Sequence, residues 1–332
     1  MKIAVNGFGR IGRLTLRAFS ESAAGKYGFD IVAVNDLQNI DTALHLLKYD
    51  SVHGRINAEI QKISESEFLL NGKKIICLSE PNPEKLPWGR LGVDLVAECT
   101  GMFGRRELCE SHLRAGAAKV LVSGPMKDAD RTIIFGINRR ISGRDSEKDL
   151  IVSNGSCTTN CAAHLLNAIH GEIGVINGFI TTVHACTGDQ RTVDTNHKDL
   201  RRARAAASNI IPTSTGLTET VGKIFPELEG KLSALSLRVP TQNVSLVNFT
   251  FTASKKITKE DVRRAILAYA NVVPRDIFDC TDEPLVSSDF NHSPCSAVVD
   301  LSLTRVFGEN MGHAVAWYDN EWGFSNRMLD SA

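Results

Sequence analysis

The sequence has no surplus of charge of either sign: 38 Lys and Arg stand against 38 Asp and Glu in 332 residues. A protein whose main partner is nucleic acid carries a basic excess that neutralises phosphates, so we expect no nucleic-acid partner. Proline is scarce, at 10 residues, and charged residues make up 23% of the chain. This composition is typical of an ordinary globular protein and excludes a disordered or fibrous one.

Long apolar runs are also missing, since none approaches the ~20 residues that a membrane-spanning helix needs. Residues 1–7 hold only a few apolar side chains before a glycine-rich turn, which favours a buried strand over a signal peptide. We therefore expect a cytoplasmic protein with no membrane partner. The eight cysteines include no Cys-x-x-Cys pair, so the sequence predicts neither a disulfide framework nor a metal site.

Two patterns of hydrophobicity divide the chain. Up to residue 155, short runs rich in Val, Ile and Leu alternate with helix-like stretches, which predicts a doubly wound parallel sheet. These runs are residues 3–5, 31–34, 93–97 and 119–122. After residue 178, as in 247–252 and 299–304, apolar and polar residues alternate, which is typical of antiparallel strands with one buried face. The predicted fold class is α/β: a Rossmann domain plus an α+β domain with a mainly antiparallel sheet.

A glycine-rich turn follows the first predicted strand. Gly7, Gly9 and Gly12 form a G-x-G-x-x-G pattern that opens a predicted helix. Such glycines let the backbone approach a pyrophosphate, and the helix N-terminus offers it N–H groups and a positive dipole. Asp36 ends the second strand, where an acidic residue accepts hydrogen bonds from adenosine ribose hydroxyls. The pattern favours a dinucleotide site; the alternative is a tight structural turn with a solvated Asp36.

The best nucleophile candidate is Cys157, in the first turn of a predicted helix. The helix dipole there favours a thiolate and is expected to lower the thiol pKa. His184 closes an alternating strand, residues 179–183, and is followed by further polar residues. If folding brings the two together, they form a thiolate–imidazolium nucleophile and general base. The alternatives are an inert cysteine and a locally bonded histidine.

Two segments are suited to binding anions. Residues 199–204 carry three arginines and precede the hydroxyl-rich loop 212–216, and Arg238 ends a strand-like run. Arginine forks, hydroxyls and loop amides bind phosphate oxygens. The basic run is otherwise a solvated or subunit-facing stretch.

Together, these motifs resemble the phosphorylating glyceraldehyde-3-phosphate dehydrogenase family in its bacterial form. The resemblance rests on residues 6–13, 156–161, 197–204 and 317–321, with His184 followed by Thr187 and Asp189, and it covers essentially the whole chain. It implies a glycolytic oxidoreductase that converts glyceraldehyde 3-phosphate, NAD and inorganic phosphate to 1,3-bisphosphoglycerate. It also implies an NAD-binding domain of residues 1–155, rejoined by 319–332, and a catalytic domain of residues 156–318.

The resemblance also implies residue roles. Cys157 attacks the aldehyde to form a thiohemiacetal, His184 takes a proton, and phosphate cleaves the resulting thioester. The substrate phosphate is assigned to Thr187, Asp189 (through its neighbours) and Arg238, and the attacking phosphate to Ser156, Thr158, Arg202, Thr215 and Gly216. Asn320 is assigned to the nicotinamide carboxamide, and the rest of the cofactor to Gly7, Gly9, Arg10, Ile11, Gly12, Asp36, Thr100 and Ser123.

Three departures from the family pattern bear on the cofactor and the terminal helix. Thr195 and Asn196 stand where many NAD-dependent members have Leu-Pro, so we expect weak NADP use, while the negative charge of Asp36 keeps NAD preferred. Phe324 replaces a common tyrosine, and the chain stops at Ala332, which predicts a shortened terminal helix.

The resemblance implies a homotetramer in which the arginine-rich loop lies near a neighbour's cofactor. Two alternatives stay open. One is the sister enzyme erythrose-4-phosphate dehydrogenase, whose thioester is hydrolysed. The other is a non-catalytic surface or binding role in addition to the enzyme.

Overall fold

The computed structural model describes residues 1–23, 25–139 and 148–332. The chain divides into two compact units, Met1–Ser156 with Phe324–Ala332, and Cys157–Gly323. The domain boundaries expected from the family resemblance, 1–155 with 319–332 and 156–318, stay a prediction.

The first unit is built on a nine-stranded sheet of order β10-β11-β9-β8-β1-β2-β7-β6-β5, beside a small β3–β4 ladder. Its strands are β1 (Lys2–Asn6), β2 (Asp30–Asn35), β3 (Tyr49–Asp50), β4 (Gly54–Arg55), β5 (Ile60–Ser64), β6 (Glu67–Leu70), β7 (Lys73–Leu78), β8 (Leu95–Glu98), β9 (Lys119–Val122), β10 (Arg131–Thr132) and β11 (Ile151–Ser153). Its helices are α1 (Arg10–Glu21), α2 (Ile40–Lys48), α3 (Trp88–Leu91) and α4 (Arg106–Arg114). From β10 to β7 every neighbouring pair is parallel, which confirms the predicted doubly wound sheet.

Strand β1 lies where the strand order reverses, with β2 on one side and β8 on the other. Ligands of open parallel sheets bind at the carboxyl ends of the strands at this point. The predicted third run, residues 93–97, begins two residues before β8, because the Val93 N–H still bonds to the Trp88 carbonyl and closes α3. The turn after β1 is therefore placed at the switch point of the sheet.

The second unit contains a seven-stranded sheet of order β13-β14-β12-β15-β18-β17-β16. Its strands are β12 (Val175–Ala185), β13 (Ile211–Thr213), β14 (Leu232–Val239), β15 (Ser245–Ala253), β16 (Phe278–Thr281), β17 (Ala297–Phe307) and β18 (Met311–Tyr318). Its helices are α5 (Cys157–Ile173), α6 (Leu217–Ile224) and α7 (Lys259–Ala270), and α8 (Trp322–Asp330) runs across the division between the units. Only β12 with β14 and β16 with β17 pair in parallel, so the predicted mainly antiparallel sheet is confirmed.

One predicted alternation is confirmed and the other is wrong. In β15, Val247, Phe249 and Phe251 are buried and the residues between them are half-buried. In β17 Asp300 is buried among apolar neighbours, and the pairing register shifts between Asp300 and Arg305, so Leu303 is exposed. The Asp300 carboxylate accepts hydrogen bonds from the N–H and the hydroxyl of Ser302 at this shift. A bulge moves later side chains to the other face of a strand, which a period of two in the sequence does not reveal.

Within the described residues, no helix has both the length and the apolar content required to cross a membrane.

Candidate active site

The turn after β1 has room only for glycine at two of its three positions. Gly7 has φ +89°, and a Cβ built there would lie 2.5 Å from the Thr100 nitrogen. A Cβ at Gly12 would lie 2.0 Å from the Gly7 carbonyl oxygen. Around a Cβ on Gly9 there is nothing within 4 Å among the described residues. Gly7 and Gly12 are thus closely packed, whereas the space around Gly9, at the start of α1, is open. An open glycine at a helix N-terminus fits the pyrophosphate of NAD.

Asp36 is held against this turn by two backbone N–H groups. Its carboxylate accepts a hydrogen bond from the Phe8 N–H at 2.6 Å and from the Gln38 N–H at 3.1 Å. An ionised carboxylate has about four acceptor sites, so two hydrogen bonds leave capacity for ribose hydroxyls.

Thr100 and Ser123 share the same sheet edge. Each follows the carboxyl end of a strand, β8 and β9, and these strands succeed β1 in the sheet. The Ser123 N–H donates to the Glu98 carbonyl, and the Cys99 N–H to the Asn6 carbonyl. The structure therefore brings the cofactor residues predicted in the first unit to one edge.

The side chain of Arg10 forms an ion pair with Asp50. Burial alone would raise the pKa of Asp50, but the N–H groups of His53 and Val52 and the Arg10 guanidinium together lower it to about 2. Asp50 is therefore an anion that anchors Arg10, so a cofactor contact of Arg10 is expected from its backbone.

Sequence reasoning missed a buried polar cluster beneath the turn. Glu98 accepts hydrogen bonds from the Asn6 side chain at 2.6 Å and from the Thr100 N–H at 2.7 Å. The Trp88 indole, which can only donate, bonds to His112 Nδ1 at 3.0 Å. The ring proton of His112 is thus on Nε2 and points to Glu98 Oε2, 3.1 Å away. The cluster ties the end of β1 to the end of β8, and isolated polar residues in the sequence do not reveal it.

In the second unit, folding brings Cys157 and His184 together. Cys157 is the first residue of α5, and His184 lies one residue before the end of β12. Cys157 Sγ and His184 Nε2 are 3.4 Å apart. Parallel pairing of β12 with β14 places Arg238 directly beside His184.

Two neighbours of His184 Nδ1 bear on which ring nitrogen carries the proton. Nδ1 is 2.7 Å from the Ala185 carbonyl oxygen, which can only accept. Arg238 Nη1 also donates to this oxygen, at 3.3 Å, and contacts Nδ1. The Ala185 oxygen favours a proton on Nδ1, whereas the Arg238 N–H, which can only donate, favours a lone pair there. For the proposed reaction we adopt the tautomer with the proton on Nδ1, in which this N–H and the Arg238 N–H share the Ala185 oxygen. The lone pair of Nε2 then faces the Cys157 sulfur, as a general base requires.

The expected lowering of the Cys157 pKa is wrong in direction. Burial raises the pKa of the Cys157 thiol, and the Arg238 guanidinium only partly opposes this effect. Burial, reinforced by Arg238, lowers the pKa of His184 to about 3. Both directions favour an uncharged thiol and imidazole at rest. Proton transfer from Sγ to Nε2 creates two charges that burial disfavours, and the attraction between them across 3.4 Å offsets part of this cost.

Tyr318 lies in the 317–321 motif but received no role from the sequence, and the structure places it beside His184. Its hydroxyl bonds to the Thr158 hydroxyl at 2.8 Å and the Thr182 hydroxyl at 3.0 Å, and its ring lies edge-on to His184. Burial raises the pKa of Tyr318, so the phenol stays protonated. The Thr158 side chain, predicted to bind phosphate, thus supports Tyr318 at the start of α5. A single aromatic at a strand end carries no signal of such a role.

Residues assigned to two different phosphates form one network. The Asp189 carboxylate accepts a hydrogen bond from Arg202 Nη1 at 2.5 Å, and Arg202 Nε donates to the Thr213 hydroxyl at 2.8 Å. Burial opposes the ionisation of Asp189, but its bonds to Arg202 and His197 lower its pKa. Arg202 is therefore already paired with a carboxylate.

Two buried N–H donors beside this network have no partner among the described residues. They are Arg238 Nε and Gln190 Nε2. The Gln190 amide oxygen accepts from both the N–H and the hydroxyl of Thr187, which turns Nε2 away from Thr187. An unsatisfied buried donor is unfavourable by about 1–3 kcal/mol, so both donors fit an anionic ligand.

The remaining predicted residues lie in loops and at helix starts. Gly216 precedes α6, and the Thr215 hydroxyl accepts a hydrogen bond from the Leu217 N–H at 3.2 Å. Ser156 immediately precedes Cys157, and the Asn320 amide oxygen accepts from Ser245. Thr195 and Asn196 are exposed, whereas Phe324 is buried.

Comparison with known proteins agrees with the resemblance. A family profile described as "Glyceraldehyde 3-phosphate dehydrogenase, NAD binding domain" matches residues 1–106, and the profile of the C-terminal domain of the same family matches residues 156–320. Glyceraldehyde-3-phosphate dehydrogenases from Cereibacter sphaeroides and Geobacillus stearothermophilus are 49% and 46% identical to the chain, respectively. The chromosomal enzyme of Cupriavidus necator is 48% identical. Each alignment covers 100% of this chain and 97% of the relative. The chain therefore belongs to the glyceraldehyde-3-phosphate dehydrogenase family.

Proposed function

We propose that the chain oxidises glyceraldehyde 3-phosphate with Cys157 as the nucleophile and His184 as the general base. The activity of the family, NAD-dependent dehydrogenation of this aldehyde, is the activity of the chain. The assignment of residues rests on one observation: Cys157 Sγ lies 3.4 Å from His184 Nε2, the ring nitrogen left with a lone pair.

In the proposed reaction, the Cys157 sulfur bonds to the aldehyde carbon while its proton passes to His184 Nε2. The new N–H of His184 and the backbone N–H of Cys157, at the start of α5, donate to the oxyanion. Bound NAD supplies the acceptor for the hydride that leaves this carbon. His184 returns its Nε2 proton to the oxyanion, which gives the thiohemiacetal hydroxyl, and takes this proton back as the hydride leaves and the thioester forms. Attack of a phosphate oxygen on the thioester breaks the carbon–sulfur bond and releases an acyl phosphate. The departing sulfur takes the Nε2 proton of His184, which restores the thiol and the neutral ring, and the proton of the attacking hydrogen phosphate is released to solvent.

The unpaired donors support the assignment of the substrate phosphate to Arg238. Arg238 lies beside His184 in the sheet and carries a buried N–H without a partner among the described residues. Thr187 and Asp189 join it by resemblance, and Gln190 orients Thr187. Ser156, Thr158, Arg202, Thr215 and Gly216 serve the attacking phosphate by resemblance alone.

For the cofactor, we infer contacts of the pyrophosphate with the turn at Gly7, Gly9 and Gly12, and of the ribose with Asp36. The negative charge of Asp36 disfavours a 2′-phosphate, which carries about −1.5 to −2 charges. Thr195 and Asn196 add two polar side chains where Leu-Pro is common, which supports weak NADP use. Arg10, Ile11, Thr100, Ser123 and Asn320 complete the proposed cofactor contacts by resemblance.

The resemblance also supports a homotetramer in the cytoplasm. The mass of the purified protein by light scattering decides the first proposal, and fractionation of cells decides the second.

The proposed function is tested by following the absorbance of reduced nicotinamide with glyceraldehyde 3-phosphate and NAD, with and without phosphate. Cys157→Ser should abolish turnover and keep NAD binding, whereas Cys280→Ser, a half-buried cysteine of β16, should leave turnover unchanged. A Cys157→Ser variant with wild-type turnover would contradict the proposal. A rate independent of phosphate, with a carboxylate product and better use of erythrose 4-phosphate, would replace it with the sister enzyme, which the comparisons do not favour.

A further inference from the structure

Ser245 lies between the strand of the catalytic histidine and Asn320. It is the first residue of β15 and is 1% exposed. Its hydroxyl accepts a hydrogen bond from the Ala185 N–H at 3.0 Å and donates to the Asn320 amide oxygen at 2.7 Å. The carbonyl of the same residue, Ala185, holds His184 Nδ1.

The chemistry of these groups leaves one direction for the hydroxyl proton. A backbone N–H can only donate, so the Ser245 oxygen accepts from Ala185, and its single proton goes to Asn320. The two ends of an asparagine amide are a carbonyl oxygen and an NH₂ group, and a donor facing one end selects the oxygen for it. Ser245 therefore turns the NH₂ group of Asn320 away from itself.

The backbone around Asn320 is held separately by Asp319. One oxygen of this buried carboxylate accepts from the N–H groups of Glu321 and Trp322, at 2.9 and 2.7 Å. The other oxygen accepts from the Asn243 amide and the His292 N–H, at 2.8 and 2.7 Å. With the backbone held in this way, the rotation of the Asn320 amide is the freedom that Ser245 removes.

We propose that Ser245 is a positioning residue that presents the Asn320 NH₂ group as a donor to the carboxamide oxygen of the nicotinamide. This inference rests on the proposed role of Asn320. The Ser245 hydroxyl also accepts from the N–H of Ala185, whose carbonyl oxygen contacts His184 Nδ1. Asn320 and His184 are therefore both held through groups that lie next to Ser245.

The test compares the binding of NAD with that of ADP-ribose, which lacks the nicotinamide, by titration calorimetry. Ser245→Ala should raise the dissociation constant of NAD by roughly 2- to 10-fold, the net worth of one hydrogen bond, and leave that of ADP-ribose unchanged. Ser296→Ala is the matched control, because Ser296 is also buried and its hydroxyl has no partner among the described residues. It should change neither constant.

Two further variants separate positioning from loss of stability. In an Asn320→Ala background, Ser245→Ala should have no further effect on the ratio of the two constants. If Ser245→Ala does not fold, Ser245→Cys keeps the shape with a weaker donor and should shift the ratio in the same direction. The inference would be overturned if Ser245→Ala weakened the binding of NAD and of ADP-ribose equally or left the ratio of the two dissociation constants unchanged. A further shift of this ratio by Ser245→Ala in the Asn320→Ala background would also overturn it. Failure of the proposed function would show instead in wild-type turnover.

Discussion

The protonation of His184 at rest can be decided by the pH dependence of unfolding. Burial and the neighbouring Arg238 guanidinium lower the pKa of His184 from 6.5 to about 3. Between these values, the unfolded chain binds a proton at this position that the folded chain does not. Stability contributed by the neutral ring is therefore complete above about pH 7.5 and is lost as the pH falls through 6.5.

The magnitude follows from proton linkage, at about 1.4 kcal/mol per pH unit for one proton. Relative to neutral pH, His184 should destabilise the fold by about 1.4 kcal/mol at about pH 5.5 and by about 2 kcal/mol at about pH 5. His184→Gln removes this group, so the free energy of unfolding of the variant should depend less steeply on pH by these amounts. Groups that titrate in both proteins cancel in the difference.

The assay is urea unfolding, followed by tryptophan fluorescence at one protein concentration from about pH 7.5 to about pH 5. His45→Gln, which removes an exposed histidine, is the control and should run parallel to the wild type. Parallel curves for wild type and His184→Gln would refute the reasoning. A wild type that gains stability over His184→Gln as the pH falls would show a resting thiolate–imidazolium pair instead.

Three further predictions concern the cofactor and substrate sites. Gly12→Ala should lower the urea midpoint of unfolding, because its methyl group would lie 2.0 Å from the Gly7 carbonyl oxygen. Gly9→Ala should keep the wild-type midpoint and weaken only NAD binding. Equal unfolding midpoints for the two variants would contradict this prediction. Arg238→Leu should raise the KM for glyceraldehyde 3-phosphate by about 10- to 100-fold, since a charged hydrogen bond contributes about 1.5–3 kcal/mol, and an unchanged KM would remove Arg238 from the phosphate site. The kcat/KM of the wild type should be at least about 10-fold higher with NAD than with NADP, and Asp36→Gly should lose this preference. A wild type that prefers NADP would refute the role of Asp36.

Elements with local signals in the sequence are predictable without the structure. The glycine turn after β1 was predictable because Gly7 and Gly12 occupy backbone positions that exclude a side chain. Helix α7 (Lys259–Ala270) follows a capping box in which Thr258 and Asp261 bond to each other's backbone N–H, and a threonine three residues before an aspartate is a local signal of a helix start. The alternation of β15 was predictable because one of its faces is buried along its whole length. Cys157 and His184 were identifiable as candidates because each stands at the end of an element.

The effect of these residues on one another follows from how distant segments pack together. The pairing of β12 with β14 sets Arg238 beside His184, and burial together with this contact lowers the histidine pKa. Burial reverses the direction that the helix dipole alone predicts for the Cys157 pKa, because desolvation depends on all the atoms packed around the sulfur. The hydroxyl of Ser245 meets Asn320 from a position distant in sequence. Hydrogen bonds and burial between distant segments leave no periodic trace in a sequence, so charge states and side-chain orientations follow from packing alone.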